Sequence, residues 1–214
     1  MRFSDTNKNR GAHGDSSFKL GGMPSSSENP PASAVGSVKI ICDSREKWTQ
    51  PGSADRHIPD WFEKHGVEYE VRKLEVGDYL IEGHPELVVD RKKSLDELAT
   101  NLMTRTDSAR FWREVRRAHE QHVKLVILCE CGGQVKTIND VPKWRSKYSP
   151  VTGRRLINEM IRLEMSYGVL WQFCDKRSTA RRIVELLSGT DGNAGTGKTA
   201  AVRSHGGGTV KAVK

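Results

Sequence analysis

The sequence has no apolar run approaching the ~18 residues that a membrane-spanning helix requires. It also shows no apolar leader, because residues 1–10 are polar and no hydrophobic stretch follows them. Cysteine is scarce, at four residues (Cys42, Cys129, Cys131, Cys174), each in or beside an apolar run. Without a secretory signal these read as reduced core residues rather than a disulfide framework. Cys129-x-Cys131 has no second Cys or His pair at zinc spacing. These absences point to a reducing, intracellular setting, the cytoplasm or nucleoid of a prokaryote or of a phage-infected cell ahead of a nucleus. No contact with a membrane is expected.

Positive charge is in excess. Lys and Arg number 35 against 27 Asp and Glu, a net charge of +8. Such an excess suits a polyanionic partner, with nucleic acid ahead of a membrane surface, although basic residues can also simply solvate a surface.

The apolar pattern divides the chain into a disordered tail over 1–36, a folded domain over 37–188, and a Gly-rich basic tail over 189–214 that also reads as disordered. Within the domain, Val38-Lys-Ile-Ile-Cys-Asp43 reads as a buried strand, and 59–64 as a short helix stopped by Gly66. Strands are expected over 69–76, 79–82 and 87–90, split by Gly77 and by Gly83-His84-Pro85. Ser94-Leu-Asp-Glu97 matches a capping box, so a helix should follow at once. A basic helix over 109–121, a doubly covered strand over 124–130, a helix over 152–167, a strand over 169–174 and a closing helix over 178–187 complete the series. In the 152–167 helix, Leu156, Ile157, Met160, Ile161 and Met165 form the expected apolar face. The order specifies an α/β domain with a central sheet and helices on both faces.

Three acids punctuate these apolar runs. Asp43 ends the first strand, Asp78 sits at a turn, and Asp90 ends another strand with Lys92 two residues on. Strand alternation puts 90 and 92 on the same side. Carboxylates of this kind hold Mg²⁺ together with substrate phosphate, and an adjacent ammonium can stabilise charge developing on the phosphoryl oxygens. Acids at strand ends are also common for the bland reason that strands meet solvent there. Their place beside buried runs favours pairing or metal.

The blocks Asp43-Ser-Arg-Glu46, Gly77-Asp78-Tyr79 and Asp90-Arg91-Lys92-x3-Asp96 resemble the nuclease signature of XPF-family structure-specific endonucleases, over roughly residues 38 to 175. The resemblance implies a restriction-endonuclease-like fold with a central mixed sheet, and DNA cleavage dependent on Mg²⁺ or Mn²⁺. It implies Asp43, Asp78 and Asp90 as metal-side carboxylates, Lys92 as the catalytic lysine, and Glu46, Arg91 and Asp96 in support. Asp90 stands where the family usually has Glu. The tandem helix-hairpin-helix domain of many members is not recognisable, which leaves substrate geometry and a homodimer or heterodimer through the nuclease domain open.

For DNA contact the candidates are Arg105, Arg110 and Arg113 of the basic helix, with Arg116 and Arg117 beside them. Lys143, Arg145 and Lys147 follow in a loop that interleaves Trp144 and Tyr148. The alternative is a solvated helix and a loop whose aromatics cover the core. His119 and His122 read as exposed helix residues. Gly192-Asn-Ala-Gly-Thr-Gly-Lys-Thr199 matches a P-loop expression but lacks the preceding strand and following helix, so no ATP site is expected. A DNA-binding scaffold without catalysis, or an RNA or non-specific nuclease, remains as an alternative function.

Overall fold

Two of the apolar runs lie side by side in the middle of one sheet. The computed structural model describes residues 38–189 except 47, 49–51 and 54, so the tail readings over 1–36 and 190–214, and the 192–199 stretch, lie outside the described residues. The elements are β1 (Lys39–Asp43), α1 (His57–Lys64), β2 (Glu68–Arg72), β3 (Tyr79–Ile81), β4 (His84–Lys92), α2 (Leu95–Met103), α3 (Arg105–Glu120), β5 (Lys124–Glu130), α4 (Gly153–Tyr167), β6 (Leu170–Cys174) and α5 (Thr179–Leu187). A short 3-10 helix, Ile138–Lys143, precedes α4. Strand order is β2-β1-β3-β4-β5-β6. β3 is antiparallel to both neighbours and the other pairs are parallel, which gives the expected mixed α/β sheet.

Alternation along the strands builds two cores. On one face Val88, Leu125, Ile127 and Cys129 pack under Leu98 and Leu102 of α2, Phe111 and Val115 of α3, and Leu156, Met160 and Leu163 of α4. On the other, Ile40, Cys42, Tyr79, Val89, Val126 and Leu128 meet Ile58 and Phe62 of α1 and Ile183 and Leu187 of α5. The four cysteines are free thiols, and burial pushes the Cys42 thiol up to about 12, so it stays protonated.

Local chemistry sets the ends of these elements. The Ser94 hydroxyl accepts from Glu97 N, and Thr152 caps α4 in the same way. Glu97 reaches back to Lys93 N rather than to Ser94, one residue short of the expected capping box. Gly168, at φ 70°, closes α4 in the left-handed conformation.

The structure departs from the sequence pattern in several places: α3 begins at Arg105 rather than 109, and β4 runs on past Asp90 to Lys92. The expected 69–76 strand stops at Arg72, because Leu74 N donates to the Asp43 carboxylate instead of to a neighbouring strand. β4 begins early, at His84, after a two-residue turn of Glu82 and Gly83, the latter at φ 81°. Pro85 is tolerated there because β5 pairs with β4 only from Leu87 onward, so its missing N–H interrupts no ladder. On α4, Ile161 and Met165 face solvent, the latter 82% exposed, because the inward stripe follows Leu156, Met160 and Leu163.

The side chain of Arg91 is fully buried. Alternation turns it away from Asp90 and Lys92, toward the α1 and α5 face. Its Nε donates to Glu130 Oε1 (2.8 Å), Nη1 to Glu46 Oε2 (3.1 Å) and Nη2 to Asp55 Oδ1 (2.9 Å). Asp55 also takes the Lys93 ammonium, and Glu130 accepts from the Thr179 hydroxyl at 2.8 Å. One guanidinium thereby ties β4 to β5, to the residue ahead of α1 and to the start of α5. Burial works to raise the Asp55 pKa, but the hydrogen bonds from Lys93 and Arg91 outweigh it and hold the carboxyl at about 2.

Asp55→Asn removes a counter-charge from buried Arg91 and is expected to destabilise the domain by about 3 kcal/mol at neutral pH, read by urea denaturation. Because the folded pKa lies below the unfolded value of ~3.9, the stability Asp55 contributes is present above about pH 4 and is lost as pH falls toward 2. The difference between wild type and variant should shrink over that window. Gly153→Ala should also destabilise, by about 2 kcal/mol or more, since an added Cβ would lie 2.0 Å from Val141 O and 2.8 Å from Trp144 O.

Candidate active site

The turn before β3 places the first acid. Gly77 has φ 64°, and a Cβ there would lie 2.2 Å from Val88 Cγ1, so the position accepts only glycine. Asp78 N donates to Val89 O (2.9 Å) and Asp78 O accepts from Asp43 N (2.8 Å), which fixes the backbone between β4 and β1. The Asp78 side chain, half-buried, accepts from Arg91 N at 2.8 Å.

Asp90 and Lys92 point from β4 toward the α3 face. Lys92 Nζ lies 2.7 Å from both Asp90 carboxylate oxygens and donates to Oδ1, while the buried Oδ2 has no hydrogen-bond donor. The ammonium also lies 5.3 Å from the centre of the Phe111 ring. Burial works to lower the Lys92 pKa, but Asp90 and Asp78 outweigh it and raise it, so the amine remains protonated.

A fourth carboxylate arrives from α3. Glu114 Oε1 accepts from Gly77 N at 2.8 Å. Burial raises the Glu114 pKa, and the charge of Asp90 raises it further. Burial likewise pushes Asp78 well above the usual carboxylate range, with Asp90 adding to it through charge and hydrogen bonding. Asp90 thus acts on both neighbours, and the three acids share one electrostatic patch. Glu114 was not singled out in the sequence. Its signal was there: it follows Phe111 by three residues and precedes Val115, so it falls beside the inward stripe of an otherwise basic helix.

The structure brings Asp78, Asp90 and Lys92 together, but gives the remaining candidates other partners. Both oxygens of Asp43 are occupied: Oδ1 accepts from Arg45 N and Nε (2.6 and 2.7 Å), and Oδ2 from Arg45 Nη2 and Leu74 N (2.8 Å each). Burial would raise the Asp43 pKa, but the Arg45 and Leu74 bonds outweigh it and lower it. Glu46 and Arg91 bond to each other beneath the sheet, and Glu46 also accepts from the Tyr79 hydroxyl at 3.1 Å. Asp96, one residue into α2, accepts from the Ser146 hydroxyl.

Among the described residues, no three His, Cys, Asp or Glu side chains form a complete ligand set for a metal. Asp78 and Asp90 still fit a hard divalent cation, since Mg²⁺ is commonly held by one or two carboxylates with water and phosphate oxygens filling the remaining positions. Burial is the larger cause of the raised Asp78 pKa, and the charge of Asp90 adds to it, a repulsion that a bound cation would relieve; Asp90 Oδ2, although 2.7 Å from the Lys92 ammonium, accepts no hydrogen bond.

Arg110 and Arg113 are exposed on α3, while the Arg105 side chain lies outside the described residues. Arg117 is committed to Glu75, donating to its carbonyl at 2.7 Å. Lys143 and Lys147 are exposed, and Arg145 Nη1 is held by the carbonyls of Pro142 and Trp144.

No curated protein matches the chain. Among solved structures it is similar to XPF from Aeropyrum pernix, with 24% identity, a TM-score of 0.52, and coverage of 72% of this chain and 66% of that one. It is also similar to XPF from Aeropyrum pernix in complex with DNA, with 24% identity, a TM-score of 0.51, and coverage of 72% and 64%. The chain therefore spans just under two thirds of the length of those structures, and at this identity the likeness establishes the fold. The ERCC4 domain model matches residues 42–186, which take in Asp43, Asp78, Asp90, Lys92 and Glu114. That match covers well over half of the sequence, and the chain accordingly belongs to the ERCC4-domain family, with the XPF nuclease fold.

Proposed function

We propose that the chain is a divalent-metal-dependent DNA endonuclease that hydrolyses phosphodiester bonds at flaps, forks or single-strand/duplex boundaries. The observation that carries this reading is the convergence of Asp78 and Asp90 beside the protonated Lys92, next to the exposed arginines of α3. DNA structures of that shape arise in repair and recombination.

Asp78 and Asp90 would hold Mg²⁺ or Mn²⁺, which when bound lowers the pKa of a water and offsets charge on the phosphoryl oxygens. Lys92 cannot serve as a base, since its neighbours keep it charged; it acts as a donor to phosphate oxygen. Glu114 holds Gly77 N and so fixes the turn that presents Asp78. Asp43, with no free oxygen, orients Arg45, whose half-exposed side chain extends toward the same acids. Arg110 and Arg113 would contact the phosphate backbone without reading sequence.

Incubation of labelled flap, forked and single-stranded DNA with Mg²⁺, Mn²⁺ or EDTA tests the reading. Products should need metal, and Asp78→Asn, Asp90→Asn and Lys92→Met should each lower kcat by about 10²-fold or more while DNA binding persists. Glu114→Gln should lower activity by about 10- to 100-fold through loss of positioning. Wild-type binding with no metal-dependent product would make the chain a DNA-binding scaffold and overturn the proposal.

A further inference from the structure

The loop over 144–152 holds two aromatic rings and treats them differently. Trp144 packs half-buried against the upper core, whereas Tyr148 projects into solvent at 86% exposure. Val71, Ile161 and Met165 are the other large hydrophobic side chains that are exposed among the described residues, so an outward aromatic is unusual for this surface.

The backbone that carries Tyr148 is pinned. Ser146 Oγ accepts from Tyr148 N (3.0 Å) and Ser149 N (2.9 Å) while donating to Asp96 Oδ1 on α2. Arg145 pairs with Thr152 across the loop, and Gly153 N donates to Trp144 O at 3.1 Å, which closes its base. The close approach at Gly153 leaves no slack there. Through Asp96 the loop is fastened to the first turn of α2, which begins three residues after Lys92. Exposed Lys147 precedes Tyr148 in the chain, and exposed Arg145 lies at the base of the same loop.

We propose that Tyr148 is a stacking platform for an unpaired DNA base, and that Ser146 and Asp96 are positioning residues that hold it beside the active site. This rests on the nuclease reading and assigns a residue to the recognition of the unpaired nucleotide next to duplex. A phenol ring stacks on any base face, so the contact selects unpaired bases without selecting sequence. Neighbouring cations attract the backbone that carries such a base. Because the main chain that carries the ring is already held, stacking would order only the side chain.

The test uses the full chain in EDTA, with a duplex bearing a single-stranded arm and a matched blunt duplex. 2-Aminopurine occupies the first unpaired position. Binding to wild type should quench the 2-aminopurine fluorescence, and Tyr148→Ala should abolish the quenching. The ratio of affinity for armed over blunt duplex should fall by about tenfold or more in Tyr148→Ala. Tyr148→Phe should keep both, and Ser146→Ala should lose part of both without a large change in melting temperature. An unchanged ratio in Tyr148→Ala, or a Phe variant as weak as Ala, overturns the stacking role alone if wild type still cleaves DNA with metal. If wild type binds no DNA at all, the nuclease reading fails and takes this inference with it.

Discussion

Three consecutive charges, Asp90, Arg91 and Lys92, lie at the buried end of the central strand β4, and none is more than 6% exposed. Ions cannot be withdrawn from water at such positions unless partners replace the lost solvation, because the penalty is several kcal/mol for each ion. Strand alternation separates the three between the two faces of the sheet. On the α1 and α5 side, Arg91 gathers Glu46, Asp55 and Glu130. On the α3 side, Asp90 and Lys92 neutralise each other, and Asp78 and Glu114 complete the surroundings. The same pleat therefore builds a structural clasp on one face and a cluster of acids around one lysine on the other.

The two faces differ in how well their charges balance. Below the sheet every Arg91 nitrogen has a carboxylate partner, and the arrangement is closed. Above it, three carboxylates face one ammonium, and a carboxylate oxygen of Asp90 is left without a hydrogen bond. This surplus of negative charge suits a cation. The polar groups fully engaged below resist exchange of partners, which suits support rather than chemistry.

Much of this could be read from the sequence because strand and helix periods are local properties. The strand that carries Asp90 was legible, and so was the Ser94 cap. What escaped were contacts set by distant residues. The shortened β2 depends on Asp43 reaching Leu74 across the sheet edge, which no window of sequence contains. The occupation of Asp43 by Arg45 is local, two residues apart, but the spacing permitted metal binding equally, and only the folded geometry shows where the oxygens are spent. On α4 the sequence offered two apolar stripes, and only packing against the sheet selected Leu156, Met160 and Leu163 over Ile161 and Met165. In the 143–148 loop, a basic and aromatic composition could not say which ring turns inward.

The hydrogen bond from Gly77 N to Glu114 makes α3 part of the frame that holds Asp78. The same helix displays Arg110 and Arg113 to solvent. A rod gripped at its middle by a tight turn and pulled at its surface by a polyanion transmits that pull to the turn. A displacement of α3 would by the same route be carried through Glu114 to the turn that holds Asp78.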